Sequence, residues 1–442
     1  MIYTADFETT VDPQDCRVWA WGVCEVDDPS YFQFGNSIEG MLDFMRNSDN
    51  SEFWFHNLKF DSAFIIDHLF RKGFKHVEDR RDAESKTFTT LISNMGAFYS
   101  MTIYFEKKGK KTVKATIYDS LKVLPYSVDE VAKGFNLPIH KLKIDYKKYR
   151  PKGHILTPDE IMYLKNDVEI MARALNILFS QDLCKMTQAS NAKYDYVKTV
   201  GESNFNSWFP TLLQDVDEKI RKSYKGGFTY LAPEYKEEDI GEGFVIDINS
   251  LYPWTMRECL LPFDKPYVFT GRYEPREECP LYVQKLRCQF ELKEGYIPTL
   301  QIKKDPRFVS THYLTTSDGE FVNLTLTNVD LELFLDHYNI YNEEWHGGWM
   351  FRGSTDLFKP YIDKWMKIKV ESTINKNKAM RSLSKLMLNA LYGKFGLNPH
   401  VASKVPYIDP EDDTVHFRTT EETVRDGLYI PVATFRYKLR KK

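Results

Sequence analysis

The sequence predicts a multidomain protein, α/β over its first 187 residues and α+β beyond them. Three observations predict this. The chain has 442 residues, more than one hydrophobic core organises, so several domains of roughly 100–200 residues each are expected. As far as Leu183, short β-branched and aromatic runs alternate with helical periodicity. From Tyr224 onward the pattern changes to short strands set around glycine- and proline-bearing strings.

Taken in order, Ile2–Phe7, Val18–Val26, Thr90–Ile92, Phe98–Phe105 and Thr112–Tyr118 read as strands, and Ile38–Asn47 and Asp61–Lys72 as helices. Thr157–Leu183 closes this domain as a long helix: Pro158, Asp159 and Glu160 suit a first turn, and apolar residues recur at helical spacing. Residues 188–261 carry KGGFTYL and FVIDINSLYP, with Phe244–Ile246 reading as a buried strand that ends in Asp247. Residues 262–358 form a strand-and-turn segment. Within 359–396, Lys359–Leu388 reads as a lysine-rich helical hairpin turning at Ser372–Lys378. Within 397–428, Ser403–Ile408 and Thr414–Thr420 flank the polar Asp409–Asp413 and read as a projecting β-hairpin. Residues 429–442 end in a basic run, Arg436–Lys442.

Composition excludes several classes. Hydrophobic residues at 42% and charged residues at 28% fit a globular chain with a sizeable core rather than a disordered one. No run approaches the roughly 18–20 apolar residues of a membrane span, and no basic leader precedes an apolar stretch, so no membrane association is expected. The six cysteines lack CxxC spacing and read as reduced cytosolic thiols. A net charge of -3 tempers any nucleic-acid reading. Even so, local basic tracks at Lys107–Lys114, Lys141–Lys152 and Lys364–Lys385 can coexist with carboxylate sites.

Three short strings carry carboxylates. Asp6-Phe7-Glu8-Thr9 ends the first strand, and its i, i+2 spacing puts both acids on one side of an extended chain. Asn57-Leu58-Lys59-Phe60-Asp61 places Asp61 near a helix start, where Asp also serves as an ordinary cap. Tyr163-Leu164-Lys165-Asn166-Asp167 lies on the closing helix, with Tyr163 and Asp167 on one face. Each is commonplace alone. In this order and with these neighbours they resemble the Exo I, Exo II and Exo III motifs of the DnaQ/RNase H-like proofreading domain of family B DNA polymerases.

That resemblance implies a 3'-5' exonuclease whose Asp6, Glu8, Asp61 and Asp167 hold two divalent ions, Mg2+ or Mn2+. It implies that Tyr163 positions the attacking water and that Lys141, in Lys141-Leu142-Lys143-Ile144, neutralises charge at the scissile phosphate. Thr9, Asn57, Phe60 and Ser120 would hold the frayed single-stranded 3' end of DNA.

Further strings extend the resemblance to a right-hand polymerase body, with palm and fingers. Asp247-Ile248-Asn249-Ser250-Leu251-Tyr252-Pro253 resembles motif A, which implies Asp247 and Ile248 at the catalytic metals and Tyr252 against the incoming sugar. Lys385-Leu386-Met387-Leu388-Asn389-Ala390-Leu391-Tyr392-Gly393 resembles motif B, with Lys385, Asn389 and Tyr392 at the dNTP and Gly393 at the DNA; Ala390 departs from the usual Ser. Lys369 would also meet the nucleotide and Lys364 the DNA, as would Tyr224, Gly226 and Gly227 of a YxGG element. The resemblance covers residues 1 to about 432 and is closest to the protein-primed polymerases of small bacteriophages, the phi-twenty-nine type. It implies primer-template DNA and a terminal protein docked on Pro262–Phe358 as partners, with Leu397–Leu428 as a second insertion. It also implies a monomer in the host bacterial cytoplasm.

One element of the family is absent: no YxDTDS string of motif C follows Asp247, and no thumb. The sequence therefore reads as a partial polymerase body in which the exonuclease alone is expected to act. The competing readings are a stand-alone exonuclease with a DNA-binding appendage, and a non-catalytic protein that binds DNA or terminal protein. Motifs A and B speak against the first and the intact acids against the second.

Overall fold

Strand β1 (Ile2–Thr9) lies inside an eight-stranded mixed sheet. Its companions are β2 (Val18–Glu25), β3 (Phe32–Gly35), β4 (Ser51–Phe55), β5 (Lys75–His76), β6 (Thr87–Ile92), β7 (Phe98–Lys108) and β8 (Lys111–Asp119), in the spatial order β3-β2-β1-β4-β8-β7-β6-β5. The structure, a computed structural model, describes residues 1–109, 111–301 and 313–424. Strands β1, β4 and β8 run parallel to one another, so their carboxyl ends open on the same edge of the sheet. That edge is where ligands of open α/β sheets bind.

Alternation along β1 sorts its side chains. Tyr3, Ala5 and Phe7 enter a core with Met41 and Met45 of α1 (Ile38–Asn47) and Leu58, Ile65, Ile66 and Leu69 of α2 (Leu58–Arg71). Thr4, Asp6 and Glu8 therefore face the other way. There Thr4 Oγ1 donates to the Val168 carbonyl at 2.7 Å on α4 (Pro158–Phe179), which follows the short α3 (Val128–Gly134). Helix α4 begins in a full capping box, the Thr157 hydroxyl accepting from the Glu160 N–H and the Glu160 carboxylate from the Thr157 N–H. Layers on both faces explain why Val18–Cys24 are all buried.

Packing divides the described residues into two units that do not follow chain order: Met1–Tyr196 with residues 364–424, and Val197–Asp363; the basic run Arg436–Lys442 lies outside the described residues. In the first unit the hairpin Lys404–Ile408/Val415–Thr419 does not project, contrary to the sequence expectation. Val415 packs against the sheet core, Phe98 meets Phe417 edge-on at 5.9 Å, and the Arg71–Asp413 and Arg418–Glu78 pairs at 3.3 and 2.6 Å flank it. Its apolar residues had a nearer surface to cover than solvent allowed the sequence to reveal.

The second unit holds a four-stranded antiparallel sheet in the order Val322–Thr327, Leu281–Leu292, Tyr338–Ser354, Leu261–Phe269. The helix Asn328–His337 covers it through Leu331 and Phe334, which pack on Phe290, Leu326 and Tyr338. Gly347 sits at φ +69, and a Cβ there would stand 2.1 Å from the Phe269 carbonyl oxygen, so only glycine fits this crossing.

The expected buried strand at Phe244–Ile246 is not formed. Phe244, Val245 and Ile246 are 100%, 101% and 90% exposed, and no strand among the described residues pairs with them. A strand needs a neighbour's N–H and C=O groups as well as an apolar sequence. The expected helix Asp61–Lys72 starts earlier, at Leu58. Its N-cap is Asn57 in the left-handed conformation (φ 70), so Asp61 lies within the first turn and is not the cap.

Candidate active site

The carboxyl edge of β1, the first turn of α2 and the middle of α4 converge. Carboxylate oxygens of Asp6, Glu8 and Asp167 all lie within 4.8 Å of one another. Asp61 is 2% exposed and joins them electrostatically through Asp6 and Glu8. Burial pushes the Asp6 carboxyl up to about 7, and the charge of Asp167 adds to it. Burial, Asp6 and Asp167 push Glu8 up to about 9. Burial and Asp6 hold Asp61 well above the carboxylate range, and burial raises Asp167 against the opposing charge of Lys141. Buried like charges of this kind repel unless a cation lies among them. The buried Oδ1 atoms of Asp61 and Asp167 have no hydrogen-bond partner. Those oxygens and the acidic donor set fit a hard divalent cation.

The Lys141 ammonium offsets Asp6, Glu8 and Asp167, and the Arg150 guanidinium adds a smaller opposing charge at Glu8. Lys141 pairs with Asp167 and lies 5.2 Å from the Tyr163 ring centroid. Tyr163 is 2% exposed, and its hydroxyl is held far above its ordinary range by burial and by Asp167, so it keeps its proton. That hydroxyl lies 2.7 Å from the Tyr146 hydroxyl. Tyr146 had no periodic signal; it is one tyrosine in the basic loop string KLKIDYKKYRPK.

Two further residues escaped sequence reasoning. Asp119, at the end of β8, accepts from the Asn57 and Leu121 N–H groups, both at 3.0 Å, and so ties the β8 end to the start of α2. Its other oxygen lies 3.2 Å from the Lys122 ammonium. His56 bonds the Ser120 hydroxyl at 2.9 Å and the Tyr126 carbonyl at 2.7 Å. Ser120, expected at the DNA, is fully buried, and its hydroxyl also donates to the Phe55 carbonyl at 3.0 Å. Its side chain joins the β4 and β8 ends rather than facing outward. Asn57 is exposed with no cap bond to make, Phe60 is 51% exposed and Thr9 is half-buried at the mouth.

Residues 42–158 and 143–439 match the family described as DNA polymerase type B, organellar and viral. The chain belongs to the type B DNA polymerases. The DNA polymerases of Bacillus phage M2 and Bacillus phage phi29 are each 46% identical to it over 98% of this chain and 74% of theirs. That of Streptococcus phage Cp-1 is 31% identical over 98% of this chain and 76% of its own. Among solved structures, Phi29 DNA polymerase in an orthorhombic crystal form superposes with a TM-score of 0.91 at 45% identity, and its complex with single-stranded DNA with 0.88. Both comparisons cover 98% of this chain and 74% of the solved one. This polymerase is accordingly a DNA-directed, protein-primed family B enzyme whose family includes a proofreading exonuclease.

The polymerase motifs are placed less tightly than the acids. In the second unit Asp247 and Ile248 are exposed, and Tyr252 is 48% exposed on the helix Leu251–Glu258. Tyr224, Gly226 and Gly227 are exposed as well. Among the described residues no group of acids gathers around Asp247 as one does around Asp6. Lys385 and Asn389 share an exposed face of the helix Lys378–Ala390, but that helix stops there. Tyr392 and Gly393 are exposed on the short helix Tyr392–Phe395. Lys369 lies half-buried on the helix Lys359–Ile374. Lys364, expected at the DNA, instead pairs with Asp195 at 2.7 Å. Among the described residues no helix is long and apolar enough to cross a membrane.

Proposed function

We propose that Asp6, Glu8, Asp61 and Asp167 form the exonuclease site of this polymerase and release nucleotides from single-stranded 3' ends with Mg2+ or Mn2+. The convergence of three carboxylates within 4.8 Å, beside buried oxygens with no partner, carries this reading. When bound, divalent ions at such a cluster supply a polarised water and stabilise the departing 3' oxygen. The chain's own residues do the rest. The Lys141 ammonium offsets the carboxylates and meets the scissile phosphate. The protonated Tyr163 hydroxyl orients the incoming water. Phe60, Asn57 and Thr9 hold the frayed end, and Ser120 supports them from beneath.

On the polymerase side, Asp247 and Ile248 would serve the metals. Tyr252, Lys369, Lys385, Asn389 and Tyr392 would hold the dNTP, and Tyr224, Gly226, Gly227 and Gly393 the primer-template. Lys364 can reach DNA only by leaving Asp195. Solved relatives include Phi29 DNA polymerase with single-stranded DNA, with primer-template DNA and with incoming nucleotides, which supports these ligands for the present chain. A terminal protein docked on Pro262–Phe358, monomeric state and work in the host bacterial cytoplasm complete the proposal. The test is Asp6→Ala with Glu8→Ala in the 442-residue polypeptide. Release of labelled 3' nucleotides should vanish while circular dichroism stays unchanged; undiminished release would overturn the assignment.

A further inference from the structure

Residues 135–157 form no helix or strand, yet they deliver Lys141 and Tyr146 to the acids. Irregular segments longer than about 12–15 residues are unusual in a compact fold unless something specific holds them. Two anchors do so here. On the near side, Asn166 of α4 donates to the His140 carbonyl at 2.8 Å, next to Lys141. On the far side stands Arg150, only 3% exposed. Its Nε donates to Glu160 Oε1 at 2.8 Å, and its Nη1 donates to the Asp145 and Lys148 carbonyls, both at 3.0 Å. Those carbonyls bracket Tyr146. The guanidinium lies 4.2 Å over the Trp19 ring, and Arg17 donates to the Arg150 carbonyl.

Glu160 completes the anchor. It is 4% exposed, and Oε2 meets His154 Nε2 at 2.7 Å and accepts the Thr157 N–H at 3.0 Å. Burial works to raise this carboxyl, but the Thr157 N–H, His154 and Arg150 outweigh it and hold it at about 2. Glu160, Tyr163 and Asp167 follow at i, i+3 and i+7 along one face of α4, so the loop is fastened to the same helical stripe that carries the site.

We propose that Arg150 and Glu160 are positioning residues of the exonuclease: their buried pair sets the loop backbone on either side of Tyr146, and with it the Tyr146–Tyr163 hydroxyl contact and the reach of Lys141. The inference rests on the exonuclease reading above. Displacement of about 1 Å far from the chemistry can cost about a hundredfold in rate, and Glu160→Gln leaves a buried guanidinium without its counter-charge.

The experiment uses the full chain, single-turnover cleavage of a 3'-labelled oligonucleotide and trypsin digestion without metal. Glu160→Gln should lower the cleavage rate about 10–100-fold with KM changed less than about threefold. Tyr146→Phe should lose rate too, and the double variant should lie within about threefold of Glu160→Gln alone, because one residue acts through the other. Arg150→Lys keeps a charge for Glu160 but cannot also span both carbonyls, so it should fold and still lose rate. In both anchor variants trypsin should cut after Lys147 and Lys148 at least about tenfold faster than in the wild type. If Glu160→Gln unfolds the chain, Arg150→Lys decides. A wild-type rate in Arg150→Lys, multiplicative losses in the double variant, or unchanged tryptic cutting each overturns the proposal. If Asp6→Ala with Glu8→Ala abolishes cleavage while the anchor variants cleave normally, the exonuclease reading stands and this inference alone falls. If that double variant cleaves normally, the reading itself fails.

Discussion

Replacing Glu8 by Gln should stabilise the protein when no metal is present. Glu8 is 6% exposed, and its carboxyl is pushed from 4.5 to about 9 by burial, Asp6 and Asp167. At about pH 7.5 the unfolded chain has released that proton and the folded site retains it, a penalty of about 4 kcal/mol at about 1.4 kcal/mol per pH unit. Asp6 shares the same repulsion, and relief at one site relaxes the other, so the net gain from Glu8→Gln is on the order of 2–4 kcal/mol. For a cooperative unit of this size that corresponds to roughly 4–16 °C in Tm. The sign follows from the raised values. Stability from the retained protons is fully present below the ordinary carboxylate range and is lost as pH rises through about 7 for Asp6 and about 9 for Glu8. Thermal melts in EDTA between about pH 5 and about pH 9 should therefore fall with pH in the wild type and fall less in Glu8→Gln. Added Mg2+, which binds only the folded site, should raise the wild-type Tm and leave the variant nearly unchanged. A Glu8→Gln protein that melts below wild type in EDTA, or a wild-type profile flat with pH, would refute the reasoning.

Phe60→Ala removes a half-exposed ring at the site mouth and should weaken single-stranded DNA binding by about 1–3 kcal/mol with little effect on melting; equal affinity in fluorescence anisotropy would exclude Phe60 from the contact. At Asn57, where φ is 70, Gly should keep the fold within a few tenths of a kcal/mol while Ala costs about 1 kcal/mol or more. Indistinguishable melts for the two variants would show that the left-handed cap is not formed. Arg71→Ala and Arg418→Ala each break an exposed pair of the docked hairpin and should cost no more than about 1 kcal/mol apiece, whereas Val415→Ala takes a side chain off the core margin and should cost more than either. Chemical denaturation of the three variants checks that order.

The first unit was legible because its signals are local. Apolar alternation located β1, β2, β7 and β8 within a few residues, and the Pro158–Glu160 start located α4. The i, i+2 and i, i+4 spacings anticipated that Asp6 would sit with Glu8 and Tyr163 with Asp167. What stayed hidden depends on partners distant in the chain. Ser120 looks like any polar loop residue until His56 and the Phe55 carbonyl are placed beside it. Arg150 reads as one more charge in a basic run, although its guanidinium is buried against Trp19. Phe244–Ile246 erred in the other direction: hydrophobicity and β-branching name a strand, but a ladder takes a second chain segment to exist.

The docked hairpin has a consequence for the order in which the protein is made. Arg71 reaches a partner 342 residues later in the chain, and Val415 packs on the margin of a sheet core whose buried members run from Tyr3 to Ile117. At about 5–20 residues per second, a ribosome delivers the hairpin about 15–60 s after β8 is complete and the sheet could first have assembled. During that interval the nascent sheet carries an uncovered flank beside α2, so the fold of the first unit, although its sheet is encoded first, reaches its final packing only once residues 404–419 have emerged.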